Sequence, residues 1–225
     1  MSGYASIHGT DSSETIDTTG QGNRSDWIWA KDGNDTISSG GGDDGIHAGS
    51  GKDLVYAGTG NDTVFGQAAQ DRLYGEGGND FLDGGNSNDL LSGGAGNDAL
   101  IGGKQDDTLE GGAGNDLLTG DGTSLMSGDA QGTGAYGTSN DGQDVFYFDN
   151  GFGQDTILDF NLGDDMLEIR SGINGTGISN PTDLVPYIGE ASGNAVITIG
   201  ADSITLVGVS KADLLANLQD VVDIV

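Results

Sequence analysis

The sequence predicts an all-β fold, a flattened solenoid of two parallel sheets closed at its C-terminal end by a β-rich cap. Three observations lead there. First, an aspartate recurs every nine residues without a gap: Asp26, Asp35, Asp44, Asp53, Asp62, Asp71, Asp80, Asp89, Asp98, Asp107 and Asp116. Second, an aliphatic residue follows each two positions later: Ile28, Ile37, Ile46, Val55, Val64, Leu73, Leu82, Leu91, Leu100, Leu109 and Leu118. Third, of these eleven units, eight carry glycine four residues before the aspartate and seven carry it two before. Repeats of this length point to stacked supersecondary units.

Each unit divides into a strand and a turn. An aliphatic residue with one outward neighbour on either side reads as a short strand. The glycine- and asparagine-rich remainder reads as a tight turn that needs positive φ. One turn and one strand per unit means two units per coil, so the aspartates alternate between two edges. Asp26, Asp44, Asp62, Asp80, Asp98 and Asp116 fall on one edge, and Asp35, Asp53, Asp71, Asp89 and Asp107 on the other. The core is then a single row of aliphatics per sheet. At about 25 cal/mol per Å² it supplies only a few kcal/mol per coil, against a glycine-rich backbone that is costly to order. Stacking also brings carboxylates of successive coils within about 4.8 Å, where they repel unless a hard cation lies between them. Carboxylate and backbone carbonyl oxygens are the ligand set of Ca²⁺, whereas Mg²⁺ prefers a rigid octahedron with retained water. The eleven aspartates leave nine gaps between coils, five on one edge and four on the other.

Along the chain, residues 1–20 read as an N-terminal cap with a degenerate repeat, Ile7 and Ile16 starting the core. Residues 21–119 are the repeats. Residues 120–138 break the pattern, with Leu125 where an aspartate is due, and read as an inserted surface loop. Residues 139–225 read as the capping region. It begins with alternating strands and further acidic turns to residue 170. A hairpin of Ala195 to Ile199 with Ser203 to Val209 follows. The last element is a helix over 210–220, capped by Ser210 and burying Leu214, Leu215 and Leu218.

Composition sharpens the functional reading. The chain has 44 Gly, 36 acidic residues against 7 basic, a formal charge of −29 and no cysteine. That charge argues against bare nucleic acid or an anionic membrane as partner. Absence of cysteine removes disulfides, thiolate metal sites and cysteine nucleophiles. No stretch approaches a membrane span, and the first residues show neither the basic nor the apolar region of a cleavable signal peptide.

The nonapeptides, of which Gly93-Gly94-Ala95-Gly96-Asn97-Asp98-Ala99-Leu100-Ile101 is a full example, resemble those of the repeats-in-toxin (RTX) family with its parallel β-roll. The resemblance implies Ca²⁺ between successive turns on both edges, up to nine ions. The eleven aspartates listed above would be the carboxylate ligands. Turn carbonyls, at Gly40, Gly42, Gly58, Gly60, Gly78, Gly94, Gly96, Gly112 and Gly114, would complete the sites. Residues 139–225 carry a second resemblance. Asp144-Val145-Phe146-Tyr147-Phe148 and Gly151 to Phe160 are similar to segments that close such rolls. Gly200 to Val209 resembles the end of non-catalytic R-modules of bacterial mannuronan C5-epimerases. The ending Val222-Asp223-Ile224-Val225 resembles an uncleaved type I secretion signal. The implied protein is a secreted, monomeric, non-catalytic calcium-binding module that folds outside the cell. Its partners are calcium, the type I export machinery and an extracellular polysaccharide, as an accessory module of a polysaccharide-modifying enzyme. A free-standing secreted calcium-binding or adhesion protein stays open, favoured by a chain that starts at Met1 without a catalytic domain ahead of it, as does a polysaccharide-active enzyme.

Other candidates read as structural. His8 and His47 are isolated, and His47 is expected as a solvated outward side chain. Neither His-Glu-x-x-His nor Gly-x-Ser-x-Gly occurs. Trp27 and Trp29 flank Ile28, and Leu54, Tyr56, Arg72, Tyr74 and Leu90 should share the outer face of one sheet, where aromatics could stack on sugar rings. Finally, the two edges should differ. The position two before aspartate is glycine on the first edge except at Arg24, but is Gly33, Gly51, Ala69, Ser87 and Gln105 on the second. The Ala69 turn also has Gln67 where glycine is usual. Sites around Asp80 are expected to be tighter than those around Asp71.

Overall fold

The computed structural model describes residues 5–121 and 142–225; most of the loop expected at 120–138 lies outside them. Short strands wind into a stack of coils. β1 (Ala5–His8) and β2 (Thr15–Asp17) form the first coil. The repeats supply β3 (Asp26–Asp32), β4 (Thr36–Ser38), β5 (Gly45–Ser50), β6 (Leu54–Thr59), β7 (Thr63–Ala68), β8 (Arg72–Gly77), β9 (Phe81–Asn86), β10 (Leu90–Ala95), β11 (Ala99–Lys104), β12 (Thr108–Ala113) and β13 (Leu117–Asp121). Odd strands pair in one sheet and even strands in the other. Register is fixed by the period: neighbours in a sheet lie eighteen residues apart, as in Val64↔Leu82 and Leu73↔Leu91. All eleven aliphatics two residues after the aspartates are completely buried.

The stack continues beyond the repeats. β14 (Val145–Phe148) pairs with β12, β15 (Gln154–Ile157) with β13, and β16 (Met166–Ile169) with β14, all in parallel. The end is closed differently on each sheet. β17 (Ile188–Ala191), β18 (Asn194–Ile199) and β19 (Asp202–Leu206) turn antiparallel, with β19 docked on β15. The helix α1 (Lys211–Val221) leads into β20 (Val222–Ile224), which pairs with β16. Ser210 caps α1 by accepting from the Asp213 amide, and Leu214, Leu218 and Val221 are its buried side chains. Leu215 is only partly buried against the core. The bulkier C-terminal residues, including Phe146, Phe148, Phe152 and Phe160, fill a core wider than the single aliphatic row. No described helix is long and apolar enough to cross a membrane.

His47 departs from expectation. Its ring stacks between Trp29 and Phe65 at centroid distances of 6.0 and 4.9 Å, and His8 extends the ladder at 4.9 Å from Trp29. Burial pushes the His47 pKa down. Parallel register places the same outward position of successive strands about 4.8 Å apart, which is stacking distance, so His47 works as an aromatic packing group. On the other sheet Tyr56 stacks on Tyr74 at 5.2 Å.

Candidate metal centre

Every coil repeats one polar construction at its edges. The amide of each aspartate donates to the Oδ1 of the aspartate one coil further on, at 2.8 Å for Asp62 to Asp80 and 2.7 Å for Asp71 to Asp89. The ladder runs from Asp26 through Asp44, Asp62, Asp80 and Asp98 to Asp116 on one edge. On the other it runs from Asp35 through Asp53, Asp71 and Asp89 to Asp107. Oδ1 is thereby satisfied. Oδ2 is buried and without a hydrogen-bond partner in Asp35, Asp44, Asp53, Asp62, Asp71, Asp80, Asp89, Asp98, Asp107 and Asp116. Such groups are rare in native proteins and call for an explanation.

The space around Oδ2 supplies one. A Cβ added to Gly75 would lie 2.4 Å from Asp80 Oδ2 and 2.6 Å from the Gly93 carbonyl oxygen. At Gly93 the same point is 2.4 Å from Asp98 Oδ2 and 2.6 Å from the Gly111 carbonyl, and at Gly102 it is 2.5 Å from Asp107 Oδ2 and 2.7 Å from the Gly120 carbonyl. In these coils a carboxylate oxygen and a carbonyl oxygen of the next coil therefore converge beside a glycine, a position that Ala30, Ala48 and Ala57 fill before Asp35, Asp53 and Asp62. Turn carbonyls point the same way along the stack: a Cβ on Gly78 would meet Gly60 O at 1.7 Å, and one on Gly96 would meet Gly78 O at 1.7 Å. Among the described residues no three carboxylates or imidazoles converge on one point, so any ion held here takes most of its ligands from the backbone. An all-oxygen donor set with one carboxylate per turn is the chemistry of a hard cation and fits Ca²⁺.

Without an ion, burial drives these carboxyls toward the neutral form. It pushes Asp53 and Asp80 up to about 6, Asp62, Asp89 and Asp98 to about 7, Asp71 to about 8 and Asp107 to about 9. Neighbouring aspartates add to the effect at Asp62, Asp71, Asp98 and Asp107. Asp26 stands apart: Arg24 takes its carboxylate, with Nε 2.6 Å and a terminal nitrogen 3.1 Å from its two oxygens. A side-chain cation thus sits at the start of this edge.

The two edges are built differently. The turn positions four and two before aspartate adopt left-handed φ whether or not glycine occupies them. On the second edge Lys31, Gln67, Ala69, Ser87 and Gln105 do so at φ 74–88°. On the first edge Glu76, at φ 72°, is the only such residue among the described repeats. Arg24 does not adopt this conformation; there the chain enters through a short 3₁₀ turn, Thr19–Gln21. A second ladder reinforces the first edge. The amides of Asn61, Asn79, Asn97 and Asn115 each donate to the side-chain oxygen of the preceding coil, Asp43, Asn61, Asn79 and Asn97, at 2.7–2.8 Å. On the second edge Lys52, Gln70 and Asn88 interrupt that row, leaving Lys52 on Asn34 and Gln143 on Asp106.

Three ladder members escape the nine-residue frame. Asp107 and Asp116 donate to Asp144 Oδ1 and Asp155 Oδ1 at 2.8 and 3.0 Å, and Asp144 to Asp165 Oδ1 at 3.2 Å. Their spacings, 28 residues from Asp116 to Asp144 and then 11 and 10, hide them. The local signature would have found them: glycine two before and an apolar residue two after, as in Gly153-Gln154-Asp155-Thr156-Ile157. The glycines five before the last six repeat aspartates, Gly66 to Gly111, carry no mark in the sequence reading either, although they lie against Oδ2.

Comparison with known protein families agrees with this geometry. The profile of the RTX calcium-binding nonapeptide repeat matches four times, at residues 21–55, 47–82, 56–91 and 92–123. Among solved structures, the extracellular lipase LipA from Serratia marcescens aligns over all of this chain with 19% identity and a TM-score of 0.42. The chain spans 40% of that lipase's length. No curated protein matches.

Proposed function

We propose, because residues 21–123 are RTX calcium-binding nonapeptide repeats, that this chain is a calcium-folded, non-catalytic module whose working place is outside the cell. Proteins with such repeats are typically secreted, and the β-roll is generally a structural fold. The observation that carries the reading is the row of buried Oδ2 atoms without partners beside converging carbonyls. An unpaired buried carboxylate costs several kcal/mol. An ion that binds only the folded chain removes that cost and adds stability by mass action. The eleven repeat aspartates and the turn carbonyls of Gly40, Gly42, Gly58, Gly60, Gly78, Gly94, Gly96, Gly112 and Gly114 are the proposed ligands, with Asp26 the weakest because Arg24 already holds it. In a low-calcium cytoplasm the chain stays unfolded under its own charge, fit for type I export. Outside it folds. Calorimetry with calcium and with chelator tests this: a cooperative thermal transition present only with calcium supports it, and identical transitions refute it.

A second observation favours glycan contact and hence an accessory role beside a polysaccharide-modifying enzyme, the role suggested by likeness to epimerase R-modules. Tyr74 covers one face of Tyr56, while the in-register neighbour on the other side is the small Ser38. That face looks into a groove of about 500 Å³ lined also by Thr19, Asn23, Thr59 and Glu76. An aromatic face with hydroxyl and amide groups around it suits a sugar ring. Saturation-transfer NMR with cellohexaose, laminarihexaose and oligomannuronate tests it. Contact with one of these oligomers that Tyr56→Ala abolishes supports it; contact with none, or contact indifferent to Tyr56→Ala, favours the free-standing calcium-binding protein.

A further inference from the structure

Asp155 lies outside the matched repeats, yet it repeats their construction. Its Oδ1 accepts from the Asp116 amide at 3.0 Å. Its side chain is 1% exposed, and its Oδ2 is buried with no hydrogen-bond partner. The preceding turn has left-handed backbone at Gly151 and Gly153, φ 75° and 86°. It packs so closely on the last repeat turn that a Cβ on Gly153 would lie 1.5 Å from the Gly114 carbonyl oxygen. Below it, Asp116 presents its own unpartnered Oδ2. Above it, Ser203 of β19 donates to the Gly153 carbonyl at 2.7 Å, and β19 pairs with β15.

We propose that Asp155 holds a further Ca²⁺ between the Gly114 turn of the last repeat and the Gly151–Asp155 turn. This rests on the calcium reading of the repeats and extends it to a new place with a separate consequence. The 122–141 segment separates the two turns in the chain, so an ion shared between them ties the C-terminal closure directly to the roll. Closure by β15 and the β18–β19 hairpin then depends on calcium, although those strands have their own apolar core of Ile157, Ile197, Ile204 and Leu206.

The direct test is an anomalous-difference map from crystals of the wild-type chain grown in calcium. The expected result is a peak about 2.3–2.6 Å from Asp155 Oδ2, beside the Gly114 carbonyl, together with peaks at the repeat aspartates. Peaks at the repeats with none at Asp155 overturn the inference and leave the calcium reading standing. No peaks anywhere overturn both. In solution, native mass spectrometry of Asp155→Asn should show one calcium ion fewer than wild type, with faster amide exchange over residues 194–206. An unchanged ion count would also overturn it.

Discussion

Replacing Gly78 by alanine should destabilise the calcium-loaded chain, whereas replacing Ala69 by glycine should stabilise it. Both residues stand two before an aspartate, on opposite edges. Gly78 has φ 135°, and a Cβ there would lie 1.7 Å from Gly60 O. Ala69 has φ 74°, so it already carries the strain of an L-residue in left-handed backbone, about 1–2 kcal/mol. Gly78→Ala takes on that strain and must also push aside a turn carbonyl. A stiffer unfolded chain returns about 0.4–1 kcal/mol, which leaves up to about 1.6 kcal/mol of strain, with the cost of the displaced carbonyl on top. Ala69→Gly reverses the ledger for a gain of about 0.5–1 kcal/mol. A calcium midpoint is a blunt readout here. When folding takes up on the order of nine ions together, 1 kcal/mol moves the midpoint only about 1.2-fold. Urea unfolding at fixed, saturating calcium reads the difference directly. Gly78→Ala within 0.3 kcal/mol of wild type (roughly the error of such measurements), or a destabilised Ala69→Gly, would show that turn glycines do not set stability in this roll.

Asp80→Asn should lower the number of bound ions and urea stability more than Asp71→Asn, because Asp80 belongs to the edge with the unbroken Asn79 ladder while the Asp71 turn carries strain at both Gln67 and Ala69; the reverse order in parallel titrations would refute this. In the metal-stripped chain, folded-state carboxyl pKa values of about 6 for Asp53 to about 9 for Asp107 lie above the unfolded value of about 3.9. The stability they give is therefore complete below about pH 4 and lost as pH rises through 6–9. Circular dichroism in chelator should show more β-structure at pH 4 than at pH 8, and the opposite trend would contradict the burial of these groups. Deleting Gln219 to Val225 removes the buried Val221 and Val222 and the β20–β16 pairing. It should cost roughly 3–6 kcal/mol as well as the export expected of this segment, so loss of export with unchanged urea stability would show that β20 is not part of the folded roll.

Much of the fold was legible because the nine-residue period fixes everything local. Ile28 to Leu118 fall inward by their spacing from the aspartates, and register follows since only a shift of eighteen keeps the row in line. The alternation of edges was legible for the same reason. What lay hidden depends on three-dimensional neighbours. Asp155 joins the ladder across 39 residues of chain, a distance with no period to betray it. His47 looked solvated because an isolated outward histidine has no partner in sequence; its partners, Trp29 and Phe65, are each eighteen residues away. The ending Val222 to Val225 resembles an export signal in sequence; only its partner strand β16, more than fifty residues earlier in the chain, reveals that it also completes a sheet. Glu76 shows the limit of glycine counting: it holds φ 72° on the edge that otherwise reserves this conformation for glycine.

The central claim is that calcium supplies the stability this thin core lacks. Far-UV circular dichroism of the metal-stripped chain at neutral pH, titrated with calcium, tests it most directly. A largely disordered spectrum in chelator that turns cooperatively to β-structure at millimolar calcium, with magnesium a poor substitute, is the predicted result. The same β-content with and without chelator would contradict it.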